Sequence, residues 1–345
     1  MNIQKRISIL ALTALLAVPA LAQTRTQPPP TPPTRVVQGT TQLAGDVGVI
    51  GKTFTLGKGS DAINFTLTGA EFSASRVTIG EDVYIPKADE KLLILRYTVH
   101  NPQKEDLRYF YRTLQFTVVD AKDVNHANEN YVGRDGTTDR LDITLKPAQK
   151  VGAYAVIAVP AAGPVPKLIV NVEDDKQVLR YDLRGKVKAL PAPFADPSDA
   201  AKVTALEAVP MKAGVYGPLG YFDLKLDSVA VSTSPINGRE LENGERNLVA
   251  VFTARNGVAK TAEVRSIFSR TFSFKLRDTD GEVTEYDDSP LKVSRDESTS
   301  GSLKPGEEAR FRVYFKLPAN VKGQSISVVE EEESRALIFD VSGAK

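Results

Sequence analysis

Apolar and polar residues alternate with a period of two along most of this chain. Ile63-Asn64-Phe65-Thr66-Leu67-Thr68 is a clear case, and a two-residue period marks a strand with one face buried. Leu92–Val99 is a longer apolar run, the expected signature of a central strand. Leu114–Val119, Val151–Val159, Leu168–Val172 and Val178–Leu183 continue the series. A second set follows: Phe222–Leu226, Leu248–Ala254, Thr271–Leu276, Ala309–Leu317, Ile326–Val329 and Ala336–Val341. The best helical candidate is Ser198–Glu207, between the two sets.

The two sets are related. At an offset of 158, Phe110-Tyr111-Arg112-Thr113-Leu114-Gln115-Phe116 aligns with Phe268-Ser269-Arg270-Thr271-Phe272-Ser273-Phe274, both reading F-x-R-T-x-x-F. Asp120 aligns with Asp278, Leu145-Lys146-Pro147 with Leu303-Lys304-Pro305, and Asp182 with Asp340. Asn101 matches Asn256 at an offset of 155, so loop lengths differ upstream. The reading is two antiparallel immunoglobulin-like β-sandwiches in tandem, over residues 48–186 and 216–345, joined by a Pro-rich break at 187–215.

The first 22 residues have the parts of a secretory signal peptide: Lys5 and Arg6, an apolar stretch from Ile7 to Val18, and Ala20-Leu21-Ala22. Cleavage is expected between Ala22 and Gln23. Residues 23–47 form a Pro/Thr-rich linker whose run from Gln27 to Thr34 favours an extended stalk. No later segment is apolar for long enough to be a membrane-spanning helix. The expected address is the periplasm, the cell envelope or the exterior.

The 345 residues include 44 Lys and Arg, 43 Asp and Glu, 2 His, and neither Cys nor Trp. Without Cys there are no disulfides, thiolate metal sites or Cys nucleophiles. Two His are too few for a multi-imidazole metal site, and the balanced charge argues against a nucleic-acid partner. Gly48-Val49-Ile50-Gly51-Lys52-Thr53 lacks the upstream Gly of a phosphate loop, since Asp46 stands at that position. No hydrolase signature occurs.

Strand–Asn–loop, then F-x-x-x-D, then L-K-P-[AG] before a strand ending in Val/Leu-Pro, resembles a group of bacterial exported immunoglobulin-like domains. These are domains of unknown function in lipoproteins and secreted antigens, among them mycobacterial secreted immunogenic proteins. The second copy matches better, with Asn256, Asp278-Thr279-Asp280-Gly281 and Leu303-Lys304-Pro305-Gly306. The first has Asp123 and Ala148 where the second has Gly281 and Gly306, which puts its turn geometry in doubt. The resemblance implies an extracytoplasmic module and transfers no chemistry.

Four groups of residues are candidate sites. Asp278, Asp280 and Glu282 form either a solvated hairpin turn or a calcium site. The acidic runs Glu173-Asp174-Asp175 and Glu330–Glu333 are either solvated turns or contacts for a cation or basic partner. Arg112 and Arg270 could bind a carboxylate or pair internally with Asp182 and Asp340. Tyr109 and Tyr111, within Arg108-Tyr109-Phe110-Tyr111-Arg112, are candidate partner contacts, because aromatic residues and Arg concentrate at interfaces. The expected function is a non-enzymatic interaction or structural module without a cofactor, binding an envelope or extracellular protein. The alternative is a binder of a sugar, peptide or Ca2+ in the inter-domain cleft or at the acidic turns.

Overall fold

The computed structural model describes residues 46–128, 130–172, 178–265, 271–330 and 334–345. The expected signal segment, the cleavage point Ala22–Gln23, the Pro/Thr-rich run, Arg270, Glu173-Asp174-Asp175 and Glu331–Glu333 lie outside them. Among the described residues the protein is all-β, with one short 3-10 turn at Gly59–Asp61. Among the described residues no helix is long and apolar enough to cross a membrane.

In the first half, one five-stranded sheet runs in the order Asp46–Gly48, Leu179–Asp182, Lys167–Val172, Leu114–Val119, Asn125–Ala127. The other runs Gly133–Arg134, Lys150–Pro160, Glu90–His100, Ile63–Ser73, Thr53–Leu56. A two-stranded piece pairs Leu107–Tyr109 with Ile143–Leu145. The second half has the same arrangement. Its sheets run Ala208–Met211, Ala336–Asp340, Gly323–Val329, Ser273–Asp278, Val283–Glu285, and Gly217–Leu219, Phe222–Ser232, Glu245–Asn256, Glu308–Pro318, Leu291–Lys292. Its small piece pairs Ala262–Val264 with Gly301–Leu303.

The alternation seen in the sequence places the core. Along Ile63–Ser73, residues 63, 65 and 67 are buried, and after a bulge between Leu67 and Gly69 the buried positions become 70 and 72. The extra residue shifts the phase so that one face stays inward. The same bulge recurs between Leu226 and Ser228. Aromatic rings bridge facing sheets, with Phe116 6.0 Å from Phe65 and 5.0 Å from Tyr97, and Phe274 5.2 Å from Phe252.

The sheets are not purely antiparallel. Asp46–Gly48 runs parallel to Leu179–Asp182, and Ala208–Met211 runs parallel to Ala336–Asp340. These short edge strands were not legible as strands, and the first begins within the segment read as linker.

Residues 187–215 are not a free spacer either. The backbone of Lys188 bonds to Ala70 and Phe72 at 2.8 and 3.0 Å, and Leu190, Phe194, Ala205 and Val209 are buried. The buried Lys91 ammonium donates to the carbonyls of Ala161, Gly163 and Val203, tying the segment to the first half. Ser198–Glu207 is not a helix. The Asp199 carboxylate accepts the N–H groups of Ala201, Val203 and Thr204, and Lys202 has a φ of 53°, so the segment winds around an acid side chain.

The doubtful turns of the first half keep the geometry of the second. Asp123 and Ala148 have φ of 60° and 61°, where Gly281 and Gly306 have 86° and 77°. A left-handed conformation costs a residue with a Cβ about 1–2 kcal/mol. Ala148→Gly is therefore expected to stabilise the protein by about 1 kcal/mol, read as a raised urea midpoint at unchanged slope.

Buried tyrosines set the alkaline limit. The hydroxyls of Tyr97 and Tyr109 lie 2.8 Å apart in the core, and burial pushes both groups well above their ordinary range. Burial also pushes Tyr181 and Tyr314 up to about 12. The unfolded chain ionises its tyrosines near pH ~10. Above that pH the folded state holds more protons than the unfolded state. The stability these groups supply is complete below pH ~10 and is lost as the pH rises toward their folded values. Urea midpoints should fall steadily above pH ~10, less steeply in Tyr97→Phe.

Candidate functional site

Of the two readings of Asp278, Asp280 and Glu282, the structure shows the hairpin turn. The Asp278 carboxylate is buried, and its Oδ1 accepts the N–H groups of Asp280 and Glu282, both at 2.9 Å, which closes the hairpin. Among the described residues no three acidic or His side chains group so as to hold a metal. The first half builds the same turn on Asp120, whose Oδ1 accepts from Lys122 and Val124 and whose Oδ2 lies 3.0 Å from His126 Nε2. Burial opposes charge on Asp120, but His126 and these N–H groups together hold its carboxyl below the usual range. His100 Nδ1 lies 2.9 Å from the Asn64 amide. Glu330, the described residue of the second acidic run, accepts the N–H of Tyr221 at 3.0 Å.

The expected pairing of Arg112 with Asp182 does not form. Arg184, two residues on, reaches Asp182 at 2.8 Å and, more than any other group, holds that carboxyl down to about 2. Asp340 accepts the N–H of Ser342. Tyr109 is also misplaced by the sequence reading. It is fully buried and faces Tyr97, because strand alternation turns it inward, so it cannot form a contact surface in this fold.

Tyr111 and Arg112 are exposed or half-exposed, and they belong to a larger cluster. The Tyr111 ring packs edge-on against Phe110 at 5.8 Å and against Tyr131 at 5.0 Å. Arg140 sits 3.2 Å from the Tyr131 centroid, and Arg112 sits 5.4 Å from that of Tyr111. Among the described residues neither arginine has an ion-pair partner, whereas Arg108 at the margin pairs with Asp142 at 3.0 Å. Tyr131 joins a separate apolar cluster of Ile79, Leu92, Ile94, Tyr154 and Val156 on the outer face of the central sheet. The hairpin Val77–Ile79 and Asp82–Tyr84 contributes Val77, Ile79 and Tyr84 to it. Tyr131 and Arg140 carried no signal in the sequence, since they lie about 20 and 30 residues from Tyr111 and neither repeats.

The cleft expected between the halves is closed by two arginines, also missed. Arg76 enters the second half, donating to the carbonyls of Gly257, Gly220 and Phe222 and to Asp223 Oδ1 at 2.7 Å. Gly257 makes room for it, because a Cβ at that position would overlap the Arg76 guanidinium and push it aside. Arg335 reaches the other way, donating Nη2 to the carbonyls of Lys87 and Glu90. The halves pack as one compact unit.

This geometry defines an all-β protein with two five-stranded sheets packed face to face in each half. No protein-family model matches the sequence, and no curated protein matches it. Among solved structures, the chain is similar to an uncharacterised β-sandwich protein from Clostridium difficile 630, at 16% identity and a TM-score of 0.32, over 42% of this chain and 97% of that one. It is similar to the secreted protein MPT63 from Mycobacterium tuberculosis, at 14% identity and a TM-score of 0.29, over 41% and 99%. A β-glucosidase from Kluyveromyces marxianus matches at 8% identity and a TM-score of 0.19, over 82% and 50%. At these values none of them transfers a function.

Proposed function

We propose that this is an exported, non-enzymatic protein of two repeated immunoglobulin-like modules, and that its first module recognises an envelope or extracellular protein. The observation that carries the reading is the surface cluster of Phe110, Tyr111 and Tyr131 flanked by Arg112 and Arg140. Partly buried aromatic rings with one edge at the surface, beside guanidinium groups without carboxylate partners, have the composition of a protein-binding hot spot. Its chemistry suits a partner that sets carboxylates beside an apolar contact, since Arg binds carboxylates through two parallel hydrogen bonds. The packed junction would hold this surface in a fixed orientation relative to the second half. The signal-like segment at residues 1–22 supports export.

Two measurements test this reading. Cell fractionation should find the chain outside the cytoplasm, and deletion of residues 2–22 should retain it inside. The double variant Tyr111→Ala/Arg140→Ala should stay folded, with a lowered melting temperature because Tyr111 also packs against the core, and lose its co-purifying envelope protein. Retention of the same partner by the double variant would rule out this surface.

A further inference from the structure

The sequence holds three Asn-Gly pairs, at 237–238, 243–244 and 256–257. Asparagine is among the thermolabile residues, and it is most labile before glycine. The peptide nitrogen that follows attacks the side-chain carbonyl. Glycine has no Cβ to shield that nitrogen or to restrict the backbone rotation the attack needs. The three pairs share this local chemistry, so the fold decides which of them reacts.

Asn256 is locked. It is buried, its amide donates to the carbonyls of Lys260 and Leu303, and its oxygen accepts the N–H of Val258. The Gly257 N–H is engaged as well, donating to the Tyr221 carbonyl at 3.0 Å. Asn237 is half locked. It forms a two-residue turn with Gly238, at φ of 58° and 68°, closed by the Arg239 N–H on the Ile236 carbonyl at 3.0 Å. Its own N–H donates to Asp296 at 2.8 Å and its amide to Asp288 at 3.2 Å. Asn243 is free. It and Gly244 are exposed in the turn from Glu242 to Glu245. Among the described residues neither the Asn243 side chain nor the Gly244 N–H has a hydrogen-bond partner. Nothing lies within 4 Å of where a Gly244 Cβ would stand, so the turn has room to rearrange.

We propose that Asn243 is a site of spontaneous covalent modification, its side chain closing on the Gly244 nitrogen and reopening as isoaspartate or aspartate, while the fold keeps Asn256 intact. In the first step the Gly244 nitrogen gives up its proton and bonds to Cγ of Asn243. The Cγ–Nδ2 bond breaks, and ammonia leaves a succinimide ring behind. In the second step water adds to one ring carbonyl. Opening at the main-chain carbonyl of residue 243 gives isoaspartate, and opening at Cγ gives aspartate. One water is consumed and one ammonia released, with no oxidant or reductant. Either product sets a new carboxylate beside Glu242 and Glu245, and isoaspartate also adds a methylene to the backbone. The turn is tied down by the Gly244 carbonyl, which accepts the Ala319 N–H at 2.7 Å, and by Glu245, which pairs with Lys316 at 3.0 Å. The longer, more acidic turn loosens both ties.

The test is incubation of the full chain at neutral and at mildly alkaline pH, then digestion in acid and mass spectrometry with electron-transfer fragmentation, which separates isoaspartate from aspartate. Isoaspartate should accumulate first at position 243, and faster at the higher pH because the attacking nitrogen must lose its proton. Asn256 should convert at least about tenfold more slowly, since its hydrogen bonds have to break first. Asn237 should fall between the two. In urea, with the fold removed, the three rates should converge. On ion exchange of the native protein, an acidic form should grow with time in the wild type. Its growth should be slowed in Asn243→Gln, whose longer side chain closes the ring poorly, and Asn243→Asp should elute with the acidic form from the start. Conversion led by 237 or 256 in the folded chain, or an acidic form that grows as fast in Asn243→Gln, would overturn the proposal.

Discussion

Asn256→Ala is expected to destabilise the protein by about 2 kcal/mol, because it removes the partner of one buried backbone N–H and of two part-buried carbonyls, at about 0.5–1.5 kcal/mol each. The Asn256 amide donates to the carbonyls of Lys260 and Leu303 at 2.7 and 2.8 Å and accepts the N–H of Val258 at 3.0 Å. The residue is 2% exposed and the Val258 it caps is buried, so water replaces that bond poorly. Its backbone also bonds to Gly306 and Glu307, so the end of the long strand and the turn after Leu303-Lys304-Pro305 close on one residue. Aspartate would not substitute, since it lacks the N–H donors that two carbonyls need. Asn101 makes the equivalent bonds to Glu105, Leu145 and Gln103, so Asn101→Ala should cost a similar amount. Urea unfolding at constant slope is the measurement. A loss below about 0.5 kcal/mol, the size of a neutral surface change, would contradict this account of the motif.

The second large effect concerns the junction. Arg76→Met keeps the apolar stem and removes every donor, leaving the carbonyls of Gly220, Phe222 and Gly257 without this partner. Asp223 would keep Arg255, at 2.9 Å. Losing a charged donor to partly buried acceptors costs about 1.5–3 kcal/mol. Here most of that loss falls on the coupling between halves rather than on either core. Calorimetry should show one cooperative transition in the wild type and two in Arg76→Met. Gly257→Ala, which displaces the guanidinium, should split the transition as well. A single transition at the wild-type temperature in both variants would show that the arginine does not couple the halves.

What could be read from the chain followed from how local each signal is. Strand alternation such as Ile63–Thr68 depends only on neighbours two apart, and the structure extends that strand to Ser73 without changing its inward face. Asn101 and Asn256 stood out because each closes a long strand before the same turn motif, although the sequence did not show what their amides bond. Tyr109 was misjudged because a three-residue strand, Leu107–Tyr109, has too few alternations to show which way it faces. Recurrence alone makes Asp182 one possible partner of Arg112, and the nearer Arg184 takes it. Arg76 and Arg335 were invisible for a different reason. Their partners are mostly backbone carbonyls in the other half, and carbonyls carry no residue-type signature. The cluster around Tyr111 was half legible, because Tyr131 and Arg140 reach it only through the loop that follows Asn128.

The central claim, that the Tyr111 surface binds a partner, is tested most directly by site-specific photo-crosslinking in living cells. A photoreactive residue is placed at Tyr111 or Arg112, or at the exposed control position Val283 on the second half. The account predicts one discrete, reproducible envelope-protein adduct from Tyr111 and Arg112 and none from Val283. Adducts of equal yield from all three positions, or none from Tyr111 in cells that produce the folded protein, would contradict it.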